Sequence, residues 1–440
     1  MIESGCIVRR GSVKGSAGRR MLFLSGLLLS ACVARGNDGP PSDPETAGLD
    51  LPPGFRATVF ADGVGRARHL AVRENGDVYV ALREPNGGHG VVGLRDTNGD
   101  GRADRLVRFG ETVGTGIAVR GDHLYFSSDT AVYRVGLEAG RLSPVGAVET
   151  VVDGFPDQRG HRAKSIAFDE QGHLYVNVGA PSNACMRERR TRGSPGVPDC
   201  PQLDRQGGIW RFAADETGQT QIRNGRRFAT GLRNCVALGW HSGVGGLFAV
   251  QHGRDQLRKF WKDLYTPEQS AELPSEEFHL VKEGTNAGWP YTYWDGGRGA
   301  RMIAPEYGGD GLTEAPAGVY QSPLVALPAH WGPNAIAFYT AEAFPGRYRD
   351  GAFVALHGSW NRSPLPQGGF NVVFVPFEQG RPTGAWEVFA DGFAGRPAIE
   401  EPSEAAHRPT GLAVGPEGAL YVSDSVEGRI WKITWAGGSS

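Results

Sequence analysis

Leu70-Ala71-Val72-Arg73-Glu74-Asn75-Gly76-Asp77-Val78-Tyr79-Val80 decides the fold. It reads as a short aliphatic strand, a tight Asn-Gly turn and a second strand carrying an aromatic ring among aliphatic neighbours. The unit returns five times. It is seen at Ile117-Ala118-Val119 with Leu124-Tyr125-Phe126, and at Ile166-Ala167-Phe168 with Leu174-Tyr175-Val176. It is seen again at Leu238-Gly239-Trp240 with Leu247-Phe248-Ala249-Val250, and at Ile336-Ala337-Phe338 with Phe353-Val354-Ala355. Leu412-Ala413-Val414 with Leu420-Tyr421-Val422 completes the set. Third strands follow several copies, as at Gly208-Ile209-Trp210-Arg211-Phe212 and Arg429-Ile430-Trp431-Lys432-Ile433. A hairpin with a third strand is most of a propeller blade, and repetition of the unit is the signature of that architecture. The chain is therefore expected to be all-β, a six-bladed β-propeller.

Composition agrees. Of 440 residues, 66 are Gly and 29 are Pro, so turns are frequent. No long stretch shows helical periodicity, so the turns join strands. Each unit spans roughly 64 residues where a bare blade needs ~40–50, and the surplus is loop between the third and sixth units. Such loops build the face around the central channel, where chemistry is expected. The 46 basic and 48 acidic residues leave a net charge of −2, with no basic stripe, which excludes nucleic acid as a partner.

The first residues read as an address. Arg9, Arg10, Lys14, Arg19 and Arg20 precede an apolar run, Met21 to Leu29, and then Leu29-Ser30-Ala31-Cys32 matches a lipobox. The run is too short to span a bilayer, which takes ~20 apolar residues. This predicts a lipoprotein signal peptide over 1–31, lipidation at Cys32, a flexible tether over 32–50, the propeller over 51–435 and a tail over 436–440. Arg19-Arg20 also loosely resembles a twin-arginine signal. The protein is expected to be exported and held at the periplasmic face by its lipid anchor alone. Export to an oxidising compartment predicts a disulfide between Cys185 and Cys200, which close a short Gly/Pro-rich loop. Cys235, beside Val236-Ala237-Leu238, is left as a buried thiol.

Several clusters could carry chemistry. His161 stands five residues before the third unit, with Arg162 and Lys164 beside it to keep it neutral and able to accept a proton. Arg233 and Asn234 lead into the fourth unit and offer a charged fork and an amide, suited to carboxylate or quinone oxygens. Gln251-His252-Gly253-Arg254-Asp255 leaves that unit, His357-Gly358-Ser359-Trp360-Asn361-Arg362 leaves the fifth, and His407-Arg408-Pro409-Thr410 enters the sixth. Each cluster is weak alone, since a lone His is usually structural and Arg-Asn is a common dipeptide. Together they put Arg and His at equivalent strand ends around one ring, which implies an anionic ligand on the axis. Asp96-Thr97-Asn98-Gly99-Asp100 through Asp104 resembles half a calcium loop, but no Glu closes it and a polar hairpin turn is the plainer reading. No phosphate loop, zinc spacing or nucleophile elbow is present.

Taken with Gly288-Trp289-Pro290, these motifs resemble, in order and over nearly the whole length from Leu51 to Ile433, the glucose/sorbosone dehydrogenase family, closest to its sorbosone-dehydrogenase-like branch. These are pyrroloquinoline-quinone (PQQ)-dependent dehydrogenases on a six-bladed propeller. The resemblance implies PQQ and Ca²⁺ as cofactors and oxidation of an aldose or sugar aldehyde to a lactone or acid, with hydride passing to the quinone. It implies His161 as general base and Arg233 as the cation that stabilises the reduced quinone. It implies Asn234, His357, Arg362 and Arg408 at the cofactor, and backbone carbonyls of Gly253 and Arg254 on Ca²⁺. Gln251 and Arg254 stand where soluble glucose dehydrogenases of the family carry Glu and Pro. With no Cys-x-x-Cys-His haem motif, electrons would leave to a separate acceptor, a cytochrome c or a quinone. A metal-dependent propeller lactonase is disfavoured because the axial candidates are Arg and His rather than carboxylates. A non-catalytic glycan- or protein-binding propeller is the other alternative, with the rings of Trp289, Tyr291, Tyr293 and Trp294 either stacking sugars or packing in the core.

Overall fold

The computed structural model describes residues 46–437. The expected signal peptide, the expected lipidation site at Cys32 and most of the expected tether lie outside the described residues.

Six blade sheets follow one another along the chain, four of them four-stranded and two extended to five by a short added strand. The first blade runs from Ala67–Val72 to Arg105–Phe109, the second from Ile117–Arg120 to Val145–Asp153, and the third from Ile166–Phe168 to Arg226–Thr230. The fourth runs from Ala237–His241 to Val325–Leu327 and the fifth from Pro333–Phe338 to Glu387–Ala390. The sixth takes Pro409–Val414, Leu420–Asp424 and Ile430–Trp435 from the end of the chain. Its fourth strand is Phe55–Ala61, from the other end, paired antiparallel with Phe55 opposite Trp435 and Ala57 opposite Ile433. All six expected hairpins form with the expected partners, as in Leu70 opposite Val80 and Ile336 opposite Val354. The chain is an all-β, six-bladed propeller.

The core lies between blades. One cluster joins Ala71 and Tyr79 of the first blade to Ile117, Leu124 and Phe126 of the second. Another joins Tyr175 and Ile209 of the third to Leu238 and Leu247 of the fourth. An aromatic at every second strand position thus fills the wedge between neighbouring sheets. The wedge between the fifth and sixth blades is the most aromatic, and the closing strand contributes to it. Phe55 sits edge-on to Phe344, Tyr348, Phe389 and Trp435, with centroids 4.8–5.4 Å away.

Two short strands stitch blades together. Gln219–Thr220, in a loop of the third blade, pairs in parallel with Val152 and Asp153 of the second. Thr285–Asn286, in the fourth blade's insert, pairs in parallel with Ala229 and Thr230 of the third. The surplus sequence lies in connections, but it is not all loop: the fourth blade's insert carries two short helices, Leu257–Phe260 and Pro267–Glu272, and a hairpin of Thr292–Asp295 with Ala300–Ile303. Cys185 and Cys200 are joined by a disulfide, packed with Trp289. Trp289 and Tyr293 are buried, so those two rings serve packing. The Asp96 carboxylate accepts the N–H groups of Gly99 and Gly101, which is turn chemistry.

One boundary needs correcting. The expected tether ends earlier than residue 50: Leu49 is buried, Asp50 pairs with Asp391, and Trp431 donates to the Ala47 carbonyl. At the other end the Ala436 N–H reaches the Gly54 carbonyl, so folded chain continues past 435. Polar, Gly-rich chain reads as linker until its hydrogen bonds are seen. Among the described residues no helix is long and apolar enough to cross a membrane.

Phe55→Ala should cost about 3–5 kcal/mol, as for other buried aromatic truncations. Chemical unfolding followed by tryptophan fluorescence would read it, and a loss under 1 kcal/mol would contradict the role assigned to the closing strand.

Candidate functional site

Every inner strand starts on the same face, because strands alternate direction in each blade. Residues just before the inner strands and just after the second strands therefore gather at one mouth. Histidines and arginines from five blades meet there. Most are deeply enclosed yet still touched by solvent, as lining of a concavity should be.

His161 adopts a left-handed conformation, φ 47°, on a loop that Gln158 clamps by donating to the carbonyls of Gly160, His161 and Gly179. Its Nδ1 lies 2.6 Å from the Ala180 carbonyl. A carbonyl can only accept, so Nδ1 carries the hydrogen and Nε2 is left as an acceptor. Burial, then the positive charge of Arg233, lowers its pKa to about 3. The close approach behind it needs Gly179: a Cβ there would come within 2.6 Å of the His161 carbonyl and 2.7 Å of Asn234 Oδ1.

Arg233 is 3% exposed and saturated with partners. Its guanidinium donates to Asp255 at 2.7 Å, the Gly253 carbonyl at 2.8 Å and Asn183 Oδ1 at 3.0 Å. Burial raises the pKa of Asp255, but Arg233, then His330 and His161, more than offset this and hold it below the usual range. Asn361 Nδ2 donates to Asp255 at 2.9 Å, while Asn361 Oδ1 is buried without a partner. Asn234 is buried beside the pair, its Oδ1 accepting from Asn177. Glu276, 2% exposed, accepts the Gly253 and Gly332 N–H groups, and burial raises its carboxyl to about 8.

His252 Nε2 sits 2.7 Å from the Pro333 carbonyl, His69 Nε2 2.6 Å from the Asn334 carbonyl, and His357 Nε2 2.8 Å from Ser425 Oγ. Burial lowers the first two to about 4 and the third well below its ordinary value, Arg408 and Arg68 adding to the last. Arg408 donates to the His357 and Gly358 carbonyls at 3.0 and 2.7 Å.

Arg254, expected to serve through its carbonyl, has its side chain engaged apart from the site; Arg362, expected to serve through its side chain, is committed elsewhere. The Arg254 side chain forms a buried pair with Glu306, so only its backbone remains for the expected contact. Arg362 is spent on the carbonyls of Ala271, Ala329 and Pro366, and clamps loops together. Sequence reasoning missed Asp255, which lay inside a quoted motif, and Asn183 and Glu276, which carried no signal. It also missed Arg68 and His69, although they head an inner strand as the site residues of other blades do. Among the described residues no group of three His, Cys, Asp or Glu side chains could hold a metal. A cation here would rely chiefly on carbonyl and amide oxygens, with Asp255 as a carboxylate beside them.

A family model described as TrAA12-like matches residues 49–436. The chain belongs to the TrAA12-like family. The propeller is 24% identical over 428 residues to a PQQ-dependent pyranose dehydrogenase of Coprinopsis cinerea, covering 88% of this chain and 54% of that protein. It thus spans about half the length of the curated relatives it matches. The holo PQQ domain of the C. cinerea pyranose dehydrogenase superposes with a TM-score of 0.69 at 21% identity, covering 88% of this chain and 97% of the domain. A calcium structure of a Trichoderma reesei family AA12 enzyme gives a TM-score of 0.71 at 19% identity, with 88% and 97% covered. The resemblance to PQQ-dependent sugar dehydrogenases read from the motifs thus agrees with the names its relatives carry.

The enclosed imidazoles make this TrAA12-like propeller acid-sensitive. His161, His69, His252 and His357 all have folded-state values below the ~6.5 of a free imidazole. Below that pH the unfolded chain binds more protons than the folded one, so stability falls as pH drops from about 6.5 towards 4. The slope is roughly 1.4 kcal/mol per pH unit for each imidazole. Glu276, raised instead, opposes this with one group against four. Urea midpoints at pH 7.5 and 5 should show the loss, and His69→Gln should reduce it. Equal midpoints would contradict the neutral assignment.

Proposed function

We propose that this protein oxidises an aldose or related sugar at C1 to the lactone or acid, with PQQ and Ca²⁺ at the channel mouth. The observation that carries the reading is His161: a neutral imidazole with its acceptor nitrogen open, held beside the buried cation of Arg233. Loss of a hydride from a C1 carbon needs the C1 hydroxyl proton removed, and a neutral imidazole of fixed tautomer suits that task. The bound quinone would supply the two-electron acceptor, polarised by the cation.

The residues fit both groups. Arg408 presents a positive fork at the mouth for a carboxylate, and Arg233, held in place by Asp255, Gly253 and Asn183, sets a fixed positive charge beside Asn234 for the quinone oxygens. The Asp255 carboxylate, the Gly253 carbonyl and the unpartnered Asn361 Oδ1 are hard oxygens, the class Ca²⁺ prefers. Trp360, next to Asn361 and 55% exposed, offers an apolar face for the C–H side of a sugar ring. The named activities of the C. cinerea relatives point the same way. Export, a lipid anchor at Cys32 and a separate electron acceptor complete the proposal.

Titrating the purified protein with PQQ in the presence of Ca²⁺, then adding aldoses and an artificial acceptor, tests it. Sugar-dependent reduction is expected, falling at least ~100-fold in His161→Ala, as for loss of a general base. Absence of quinone binding at micromolar concentration would overturn the reading.

A further inference from the structure

The inner strands end on the face away from the mouth, and there three concavities join into one trough across the third, fourth and fifth blades. The central one, of about 740 Å³, lies between the turn at 169–172 of the third blade and the turn at 243–246 of the fourth. A second, of about 520 Å³, shares Gln171, His173 and Arg211 with it and runs outward to Asn224 and Arg226. A third, of about 270 Å³, shares Leu280, Lys282 and Arg381 and runs to Gln321 and Leu324. No residue argued for the mouth lines the trough.

Its wall is built around one fixed ring. Trp240 stacks on Tyr175, centroids 6.0 Å apart and planes 11° from parallel, and its Nε1 donates to Glu170 at 2.7 Å. The indole is part-exposed, and the rest of the ring lines the central cavity. Beside it Asp169 accepts the Tyr175 hydroxyl at 2.9 Å and lies 2.7 Å from His173 Nδ1, so that Nδ1 carries the hydrogen and Nε2 is left for a ligand. Arg211 is paired with Glu283 at 3.1 and 3.4 Å, which neutralises both. Lys282, from the fourth blade, and Arg381, from a hairpin of the fifth, are exposed and have no ion pair among the described residues. The free charges of the central cavity are therefore positive. A sugar ring asks for an aromatic plane under its C–H face and planar donors and acceptors for its hydroxyls, and both are present. Three concavities in series exceed one sugar, and the free cations favour sugars that carry carboxylates.

We propose that this trough binds an extended acidic oligosaccharide, with Trp240 as its stacking platform and Lys282 and Arg381 as partners for uronate carboxylates. The site lies on the face opposite the mouth, so the inference goes beyond the proposed oxidation and does not rest on it. Such a site holds the protein on a uronate-bearing glycan while the mouth stays open.

The test uses the full chain, calorimetry with tetragalacturonate, cellotetraose and polyglutamate, and melting temperatures without ligand. The variants are the double change Lys282→Gln with Arg381→Gln, Trp240→Ala and Trp240→Phe. Wild type should bind tetragalacturonate at least ten-fold more tightly than cellotetraose. The double variant should lose that preference and melt as wild type does, since both side chains are exposed. Trp240→Ala should weaken tetragalacturonate at least ten-fold, and Trp240→Phe, which keeps a stacking plane, should recover most of the loss even if Trp240→Ala melts lower. No binding of either sugar at millimolar concentration overturns the proposal, as does tetragalacturonate binding that neither the double variant nor Trp240→Ala alters. Polyglutamate bound as tightly as tetragalacturonate, and untouched by Trp240→Ala, makes the trough a surface for acidic peptide and overturns the glycan assignment.

Discussion

The structure depends on one pairing, that of Phe55–Ala61 with Ile430–Trp435. A propeller ring is complete only when its last blade is filled, and here strands far apart in the chain fill it. The pairing buries Phe55 among the rings of the fifth blade, so the wedge that fixes the position of the sixth blade is filled by the same strand that completes its sheet. The mouth is a product of that closure. Arg68 and Arg408, from the first and sixth blades, come within reach of one another only because the ring is shut.

Charge is distributed at the mouth with a clear division. Arg233 is satisfied by Asp255, Gly253 and Asn183 and is rigid. Arg68 is met by the hydroxyls of Thr115 and Thr410. Between them the histidines stay neutral, because burial and the surrounding cations both disfavour a further positive charge. The result is a cavity whose fixed fields are positive and whose imidazoles remain proton acceptors. Such a cavity suits an anionic cofactor and a reaction that releases a proton.

Much of this was legible in the residues. The hairpin repeat placed all six inner pairs, because an aliphatic strand, a turn and an aromatic strand are local features. The closing strand was not legible, since its pairing partner lies at the far end of the chain. The two stitching strands are too short to show a period. His161, Arg233, Asn234 and Arg408 could be found because they flank repeats. Where Arg254 and Arg362 point could not be read, because their partners, Glu306 and distant carbonyls, belong to long inserts. Asp255 shows the same limit: its place is set by Asn183 and Asn361, far off in sequence.

The closing pair also has a consequence for biosynthesis. Phe55–Ala61 leaves the ribosome long before its partner strand, Ile430–Trp435. Until Ile430–Trp435 is made, the first blade has no sixth neighbour and an aromatic-rich strand waits with an open edge. The ring therefore cannot finish folding piecemeal as the chain emerges. Its open edge has to be kept from pairing with other chains until Ile430–Trp435 has emerged to cover it.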